Sequence, residues 1–166
     1  MKCRMMAAAM LFHGDELLMM KRSMKRTLNP GMWAAVGGHL EPDELSRPRD
    51  ACLREIYEET GFASDDIKEL TLRYILLRNK DGELRQQFIY SGIATRKDFV
   101  DSDEGKLYWI PVAEVLDREI PYIFRMTLEH YFREGPREHA WAGIASLDPS
   151  TDRPRVDWLP LTDPNY

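Results

Sequence analysis

Apolar positions in the first part of the chain come in two short runs, Met5–Phe12 and Leu17–Lys21, separated by His13-Gly14-Asp15-Glu16. Two such runs around a Gly-Asp turn predict a β-hairpin. The basic start Met1-Lys2-Cys3-Arg4 imitates a signal peptide, but no small-residue cleavage site follows and a second apolar run begins at once. A basic loop over residues 21–26 leads to a turn at Asn29-Pro30-Gly31, then to a short strand, Met32–Val36, closed by Gly37-Gly38. Residues 47–60 carry a helical pattern, with Ser46 as N-cap, Pro48 in the first turn and Gly61 at the stop. Leu72–Leu77 and Phe88–Ala94 flank Asn79-Lys80-Asp81-Gly82 as a second hairpin. Leu107–Ile110 reads as a strand, Val112–Asp117 and Tyr122–Phe132 as helices, and Trp141–Leu147 with Val156–Leu161 as a last β pair. Strands outnumber helices and hairpins dominate. The pattern therefore predicts an α/β fold, a mixed sheet with helices packed on it, not a doubly wound parallel sheet.

The helix over 47–60 has an unusual polar face. With Glu55 placed at zero and about 100° per residue, Glu58 falls at about 300° and Glu59 at about 40°. Three carboxylates thus share one arc, with Arg54 on its flank and Ala51 among them. Cys52, Leu53, Ile56, Tyr57 and Thr60 fill the arc that can face the core. Three acids so close repel one another. A hard divalent cation that takes oxygen ligands and favours phosphate-bearing substrates removes the repulsion. Taken alone, the three glutamates read better as a solvated acidic surface.

They do not stand alone. Gly38, five residues, Glu44, and then Arg54-Glu55-Ile56-x-Glu58-Glu59-x-Gly61-Phe62 resembles the signature of the Nudix hydrolases, G-x5-E-x7-R-E-U-x-E-E-x-G-U, where U is a bulky apolar residue. Every fixed position is filled. Between Glu44 and Arg54 stand residues 45–53, two more than the family pattern has. The excess falls at Leu45–Arg49, before or within the first helical turn, where a loop absorbs it without rotating the glutamates. The resemblance implies an α/β/α sandwich around a mixed sheet, and cleavage of nucleoside diphosphates linked to another group by water attack on phosphorus. It implies Mg²⁺, or Mn²⁺ in its place, held by Glu55, Glu58 and Glu59 with the Gly38 backbone alongside. By the same resemblance Glu58 or Glu55 takes part in catalysis, Arg54 orients a glutamate, and Glu44 and Gly61 complete the box. It also points to a further carboxylate ahead of a late strand, for which Glu104 is the candidate, and an acidic turn is the plain alternative there. Arg22, at a strand end, is placed to attract substrate phosphates.

Composition narrows the field. The chain has 166 residues, 43% of them apolar, which suits one domain over residues 1–166 with a C-terminal β extension at about 139–166. With 23 basic against 28 acidic residues the net charge is −5, which lacks the basic footprint of a dedicated nucleic-acid binder. No nucleic-acid partner is expected. No apolar run approaches the ~18–20 residues of a spanning helix, so no membrane partner is expected either. Cys3 and Cys52 are too few and too far apart for a disulfide framework or a zinc site, and imply a reduced, cytoplasmic setting. His13, His130 and His139 show no ligand spacing, and His39 shapes the loop beside the box. Residues 38–62 hold seven acids and three arginines, whereas residues 1–28 hold six bases and two acids, so the acidity is local. A homodimer through the C-terminal aromatic segment is compatible with the pattern.

Substrate identity is read by subtraction. The proline that accompanies ADP-ribose hydrolysis in the family is absent, since Ile75-Leu76-Leu77-Arg78 occupies that region. The tyrosine that marks dinucleoside polyphosphate hydrolysis is missing too, Tyr74 and Tyr90 lying off register. A nucleoside triphosphate, including an oxidised one, is the leading expectation. The alternatives are a nucleotide-sugar or ADP-ribose type hydrolase, or a non-catalytic nucleotide sensor. The sensor reading is disfavoured because every box acid is kept.

Overall fold

A computed structural model of the chain describes residues 1–164. The first hairpin forms as the apolar runs require: β1 (Lys2–His13) and β2 (Glu16–Arg22) turn at Gly14, whose φ of 60° suits glycine. Their pairing is brief, Phe12 with Leu17 and His13 with Glu16, after which the strands splay. The segment expected as one strand at 32–36 fills the split as two. β3 (Trp33–Ala34) pairs with β2, and β4 (Val36–His39) pairs with β1. This division places Gly37 and Gly38 inside the sheet and not at a strand end.

α1 (Pro48–Thr60) follows. Its N-cap is Arg47, not Ser46, and no side chain caps it. Residues 42–46 instead form consecutive turns, with the Arg47 N–H donating to the Glu44 carbonyl at 2.7 Å. Gly61 ends the helix in the left-handed conformation, φ 75°, and donates its N–H to the Tyr57 carbonyl. β5 (Ile67–Lys80) and β6 (Glu83–Ala94) are longer than the apolar pattern suggests, because charged residues continue both ladders toward a turn at Asp81-Gly82. Both turn residues have positive φ, 54° and 75°, as a tight two-residue hairpin demands.

β7 (Gly105–Pro111) pairs with β2, and α2 (Val112–Val115) stops two residues before the expected end. α3 (Tyr122–Glu134) precedes a final hairpin of β8 (Ala140–Leu147) and β9 (Pro154–Leu161). Along the path β3-β2-β1-β6-β5-β8-β9, the β1–β6 and β5–β8 pairs are parallel and the rest antiparallel, so the sheet is mixed. Its strands alternate by period two. Ala7, Ala9, Leu11, Leu18 and Met20 face Ala51, Cys52 and Ile56 of α1, whereas Met10, Leu17, Met19, Tyr74 and Ile89 face Val115 and Leu128 of α2 and α3. The result is an α/β/α sandwich. No helix among the described residues is long and apolar enough to cross a membrane. Cys3 and Cys52 are both free, the first exposed and the second buried.

Candidate active site

Helix α1 is rotated relative to the arc expected from its sequence. Tyr57, placed on the core side by the pattern, is 61% exposed, whereas Ala51 and Glu59, placed among the acids, are buried. The cause lies in β4. Strand β4 packs against α1 through two residues without side chains, so the acidic edge of the helix approaches the sheet backbone closely. The three glutamates consequently differ in setting. The Glu58 side chain is 54% exposed, Glu55 is 13% exposed, and Glu59 points inward.

Gly38 makes this approach possible. A Cβ there would lie 2.5 Å from Glu55 Oε1, so only glycine leaves room for the carboxylate. Gly37, with φ 148°, would place a Cβ 2.3 Å from the Ala7 carbonyl oxygen. Its N–H donates to Glu59 Oε2 at 2.8 Å. Gly38 therefore admits Glu55, and Gly37 holds Glu59.

Arg54 organises the rest. Its Nε donates to Glu44 Oε1 at 2.8 Å and its Nη2 to Glu44 Oε2 at 2.9 Å, a bidentate pair. Nη2 also donates to the His39 carbonyl at 3.0 Å. Nη1 donates to Glu55 Oε1 at 3.0 Å and to Glu58 Oε2 at 3.1 Å. All five donors of the guanidinium are thereby used. Glu44 receives a further bond from the Glu41 N–H at 2.9 Å. The Arg54 guanidinium and this N–H hold its carboxyl down at about 2. Glu44, displaced along the sequence by the longer loop, is thus brought back to the cluster.

Burial acts the other way on the remaining acids. It pushes Glu59 up to about 7, helped by repulsion from Glu55 and Glu58 and opposed by the Gly37 N–H and Arg22. It raises Glu55 as well, against the pull of Arg54. The donor chemistry, hard oxygens confined to one helical turn and mutually repelling, fits a divalent cation. Among the described residues, however, no three acidic, histidine or cysteine side chains converge as a metal cluster. Glu59 is turned onto Gly37, and Glu55 and Glu58 onto Arg54. Glu55 and Glu58, sharing one donor, and Glu59 beside them are the side chains that could hold a cation.

Arg22 lies close enough to Glu59 for their charges to interact, while its Nε is tied to the Leu28 carbonyl at 3.0 Å. Glu104 sits at the basic loop that also carries Arg22. It forms an ion pair with Arg26, and its carbonyl accepts from the Ser23 N–H at 3.2 Å, so it braces the basic loop. Three backbone groups escaped the motif: the Gly37 N–H, the His39 carbonyl and the Glu41 N–H. Backbone groups leave no side-chain signal; the course of β4 and of the turn after it brings them into range.

Strand order, sandwich and box together define a class. The profile of the NUDIX domain matches residues 4–130, and the chain belongs to the Nudix hydrolase family. It is 28% identical over 137 residues, 77% of this chain and 96% of the relative, to the nucleoside triphosphatase NudI of Salmonella agona (strain SL483). Its fold is similar to that of the MutT protein from Bacillus halodurans, with a TM-score of 0.66 at 21% identity, covering 93% of this chain and 97% of that one. It is also similar to an Ap4A hydrolase from C. elegans, with a TM-score of 0.63 at 16% identity, covering 78% and 96%. At such identities the two structures speak for the fold alone. Strands β8 and β9 lie beyond the matched domain.

Proposed function

We propose that this Nudix hydrolase is a Mg²⁺-dependent nucleotide pyrophosphohydrolase, with Mn²⁺ as a substitute, acting on a nucleoside triphosphate. Water attacks phosphorus, the phosphoanhydride bond breaks, and the products are the nucleoside monophosphate and pyrophosphate. The observation that carries the reading is the single guanidinium of Arg54 bonded to Glu44, Glu55 and Glu58 beside the buried Glu59. Similarity to a nucleoside triphosphatase supports the substrate class.

When bound, the cation withdraws charge from the phosphate oxygens and makes a neighbouring water more acidic. Glu55, Glu58 and Glu59 would hold it. Arg54 fixes the orientation of Glu55 and Glu58 and is itself immobilised by Glu44. Glu58, the most open of the three to water, is placed to accept the proton of the attacking water. Arg22 attracts the substrate phosphates toward the carboxylate edge.

The test is incubation with Mg²⁺ and a panel of ordinary and oxidised nucleoside triphosphates and sugar nucleotides, with product analysis. Triphosphates are expected to yield pyrophosphate. Turnover of sugar nucleotides without any triphosphate overturns the reading. Glu58→Gln should lower kcat by roughly 10²–10³-fold while nucleotide binding survives.

A further inference from the structure

The sheet face opposite α1 carries a concentration of positive charge that the catalytic site does not use. Arg85 on β6 stands directly opposite Arg4 on β1 and Arg78 on β5, so three arginines lie side by side across three strands. Two residues further along, Glu83 stands between Lys2 and Lys80 in the same way. Directly opposed residues share a face, and like charges so placed repel. Five bases and one acid therefore occupy six adjacent positions of a chain whose net charge is −5.

The single acid does not satisfy them. Glu83 Oε1 is shared by Arg4 Nε at 3.0 Å and Arg85 Nε at 2.9 Å. Arg78 has no part in this arrangement, and its Nε is buried without a hydrogen-bond partner. A buried N–H of a charged group left unpaired is costly. The Arg85 side chain is only 16% exposed, whereas Arg4 at the edge of the row is 45% exposed, so the row is screened from water at its centre and open to solvent at Arg4. Burial depresses Arg78, and Arg85 depresses it further; burial, Arg4 and Arg85 together depress His39.

His39 connects this face to the box. Its ring accepts at Nε2 from Arg4 Nη1–H across 3.2 Å, while its carbonyl accepts from Arg54 at 3.0 Å. On β4, Gly38 faces the glutamates and His39 the arginines.

We propose that Arg4, Arg78 and Arg85 form an anion-binding subsite for a phosphate-class oxyanion. Planar guanidinium forks suit tetrahedral phosphate oxygens. Three guanidinium groups at adjacent positions, open to solvent only at Arg4, suit a small phosphate or pyrophosphate group better than an extended polyanion. The oxyanion comes from one of two sources: a phosphate of the nucleotide remote from the cleaved bond, or free inorganic phosphate or pyrophosphate.

Inorganic pyrophosphate is titrated into the protein without divalent cations, at fixed ionic strength, by calorimetry and by NMR of the arginine Nε–H groups. Saturable binding is expected, with shifts at Arg4, Arg78 and Arg85 and at least tenfold loss in Arg78→Gln. Arg78→Lys, which keeps charge but not the fork, should lie between. Thermal unfolding of each variant without anion confirms that the fold is retained, since Arg78→Gln removes an unpaired buried donor. Unchanged affinity in Arg78→Gln, displacement by equimolar chloride, or shifts confined to the Glu55–Glu59 helix would each overturn the subsite. Tighter binding of an RNA oligonucleotide that pyrophosphate cannot displace would overturn it as well. To separate the sources, KM is compared for nucleoside triphosphates with and without a phosphate on the ribose 3′ position. A KM penalty from Arg78→Gln restricted to the 3′-phosphorylated nucleotide identifies the substrate. An equal effect of added pyrophosphate on both identifies the free anion. Binding is read without turnover, so failure of the proposed triphosphatase activity leaves this result standing.

Discussion

Glycine at position 38 is a matter of clearance. A Cβ there would occupy the space of the Glu55 carboxylate, 2.5 Å from its Oε1. Gly38→Ala is expected to push Glu55 from Arg54, lowering kcat strongly while costing about 1–3 kcal/mol of stability; steady-state kinetics beside urea unfolding checks both. The Glu44 carboxyl offers a second test. Its folded value of about 2 lies below its unfolded value of 4.5, so its contribution is fully present above about pH 4.5 and is lost as pH falls toward 2. Relative to Glu44→Gln, the wild type should gain about 1–2 kcal/mol at pH 7, an advantage that disappears near pH 2, measured by urea unfolding across that range.

At the scale of the element, α1 shows how a correct pattern can be rotated in place. The helix, its glycine stop and the shared edge of the three glutamates are all legible in the sequence. The burial of Glu59 and the exposure of Tyr57 are not, because they depend on how closely β4 approaches. Side-chain polarity says that Glu59 belongs outside, and the Gly37 N–H overrides it by supplying a buried partner. Tyr57→Ser is accordingly expected to change stability by less than about 0.5 kcal/mol, whereas Ile56→Ala, fully buried, should cost about 2–5 kcal/mol. Denaturant titration of the two variants distinguishes this rotation from the one the pattern implies, in which both would be costly. The continuous apolar run at 32–36 predicts one strand; the split between β1 and β2 that divides it is a long-range event.

For the whole molecule, the open question is whether the C-terminal hairpin shares the domain's cooperativity. Trp158 lies 4.9 Å, centroid to centroid, from both Tyr74 and His130, and the Tyr74 hydroxyl is bonded to His130 Nδ1 at 2.9 Å. The hairpin is therefore seated on α3 and β5, and one domain over the described residues is proposed. Trp158→Ala should lower a single unfolding transition by about 3–5 kcal/mol without creating a second, as followed by calorimetry. Saturation with Mg²⁺ should raise the same transition, by about 2.7 kcal/mol at a hundredfold excess over Kd. That rise should be absent in a protein carrying both Glu55→Gln and Glu58→Gln.

By itself the sequence determined the class: the hairpins, the helix, the mixed sheet and the family follow from periodicity and from residues close together along the chain. What the tertiary structure decided lies at longer range. It joined Glu44 to Arg54, it paired Glu104 with Arg26, and it aligned Arg4, Arg78 and Arg85. The physical reason is the same in each case. Helical spacing is set locally by 3.6 residues per turn, whereas register between strands and the course of a loop are set by packing that no local pattern encodes.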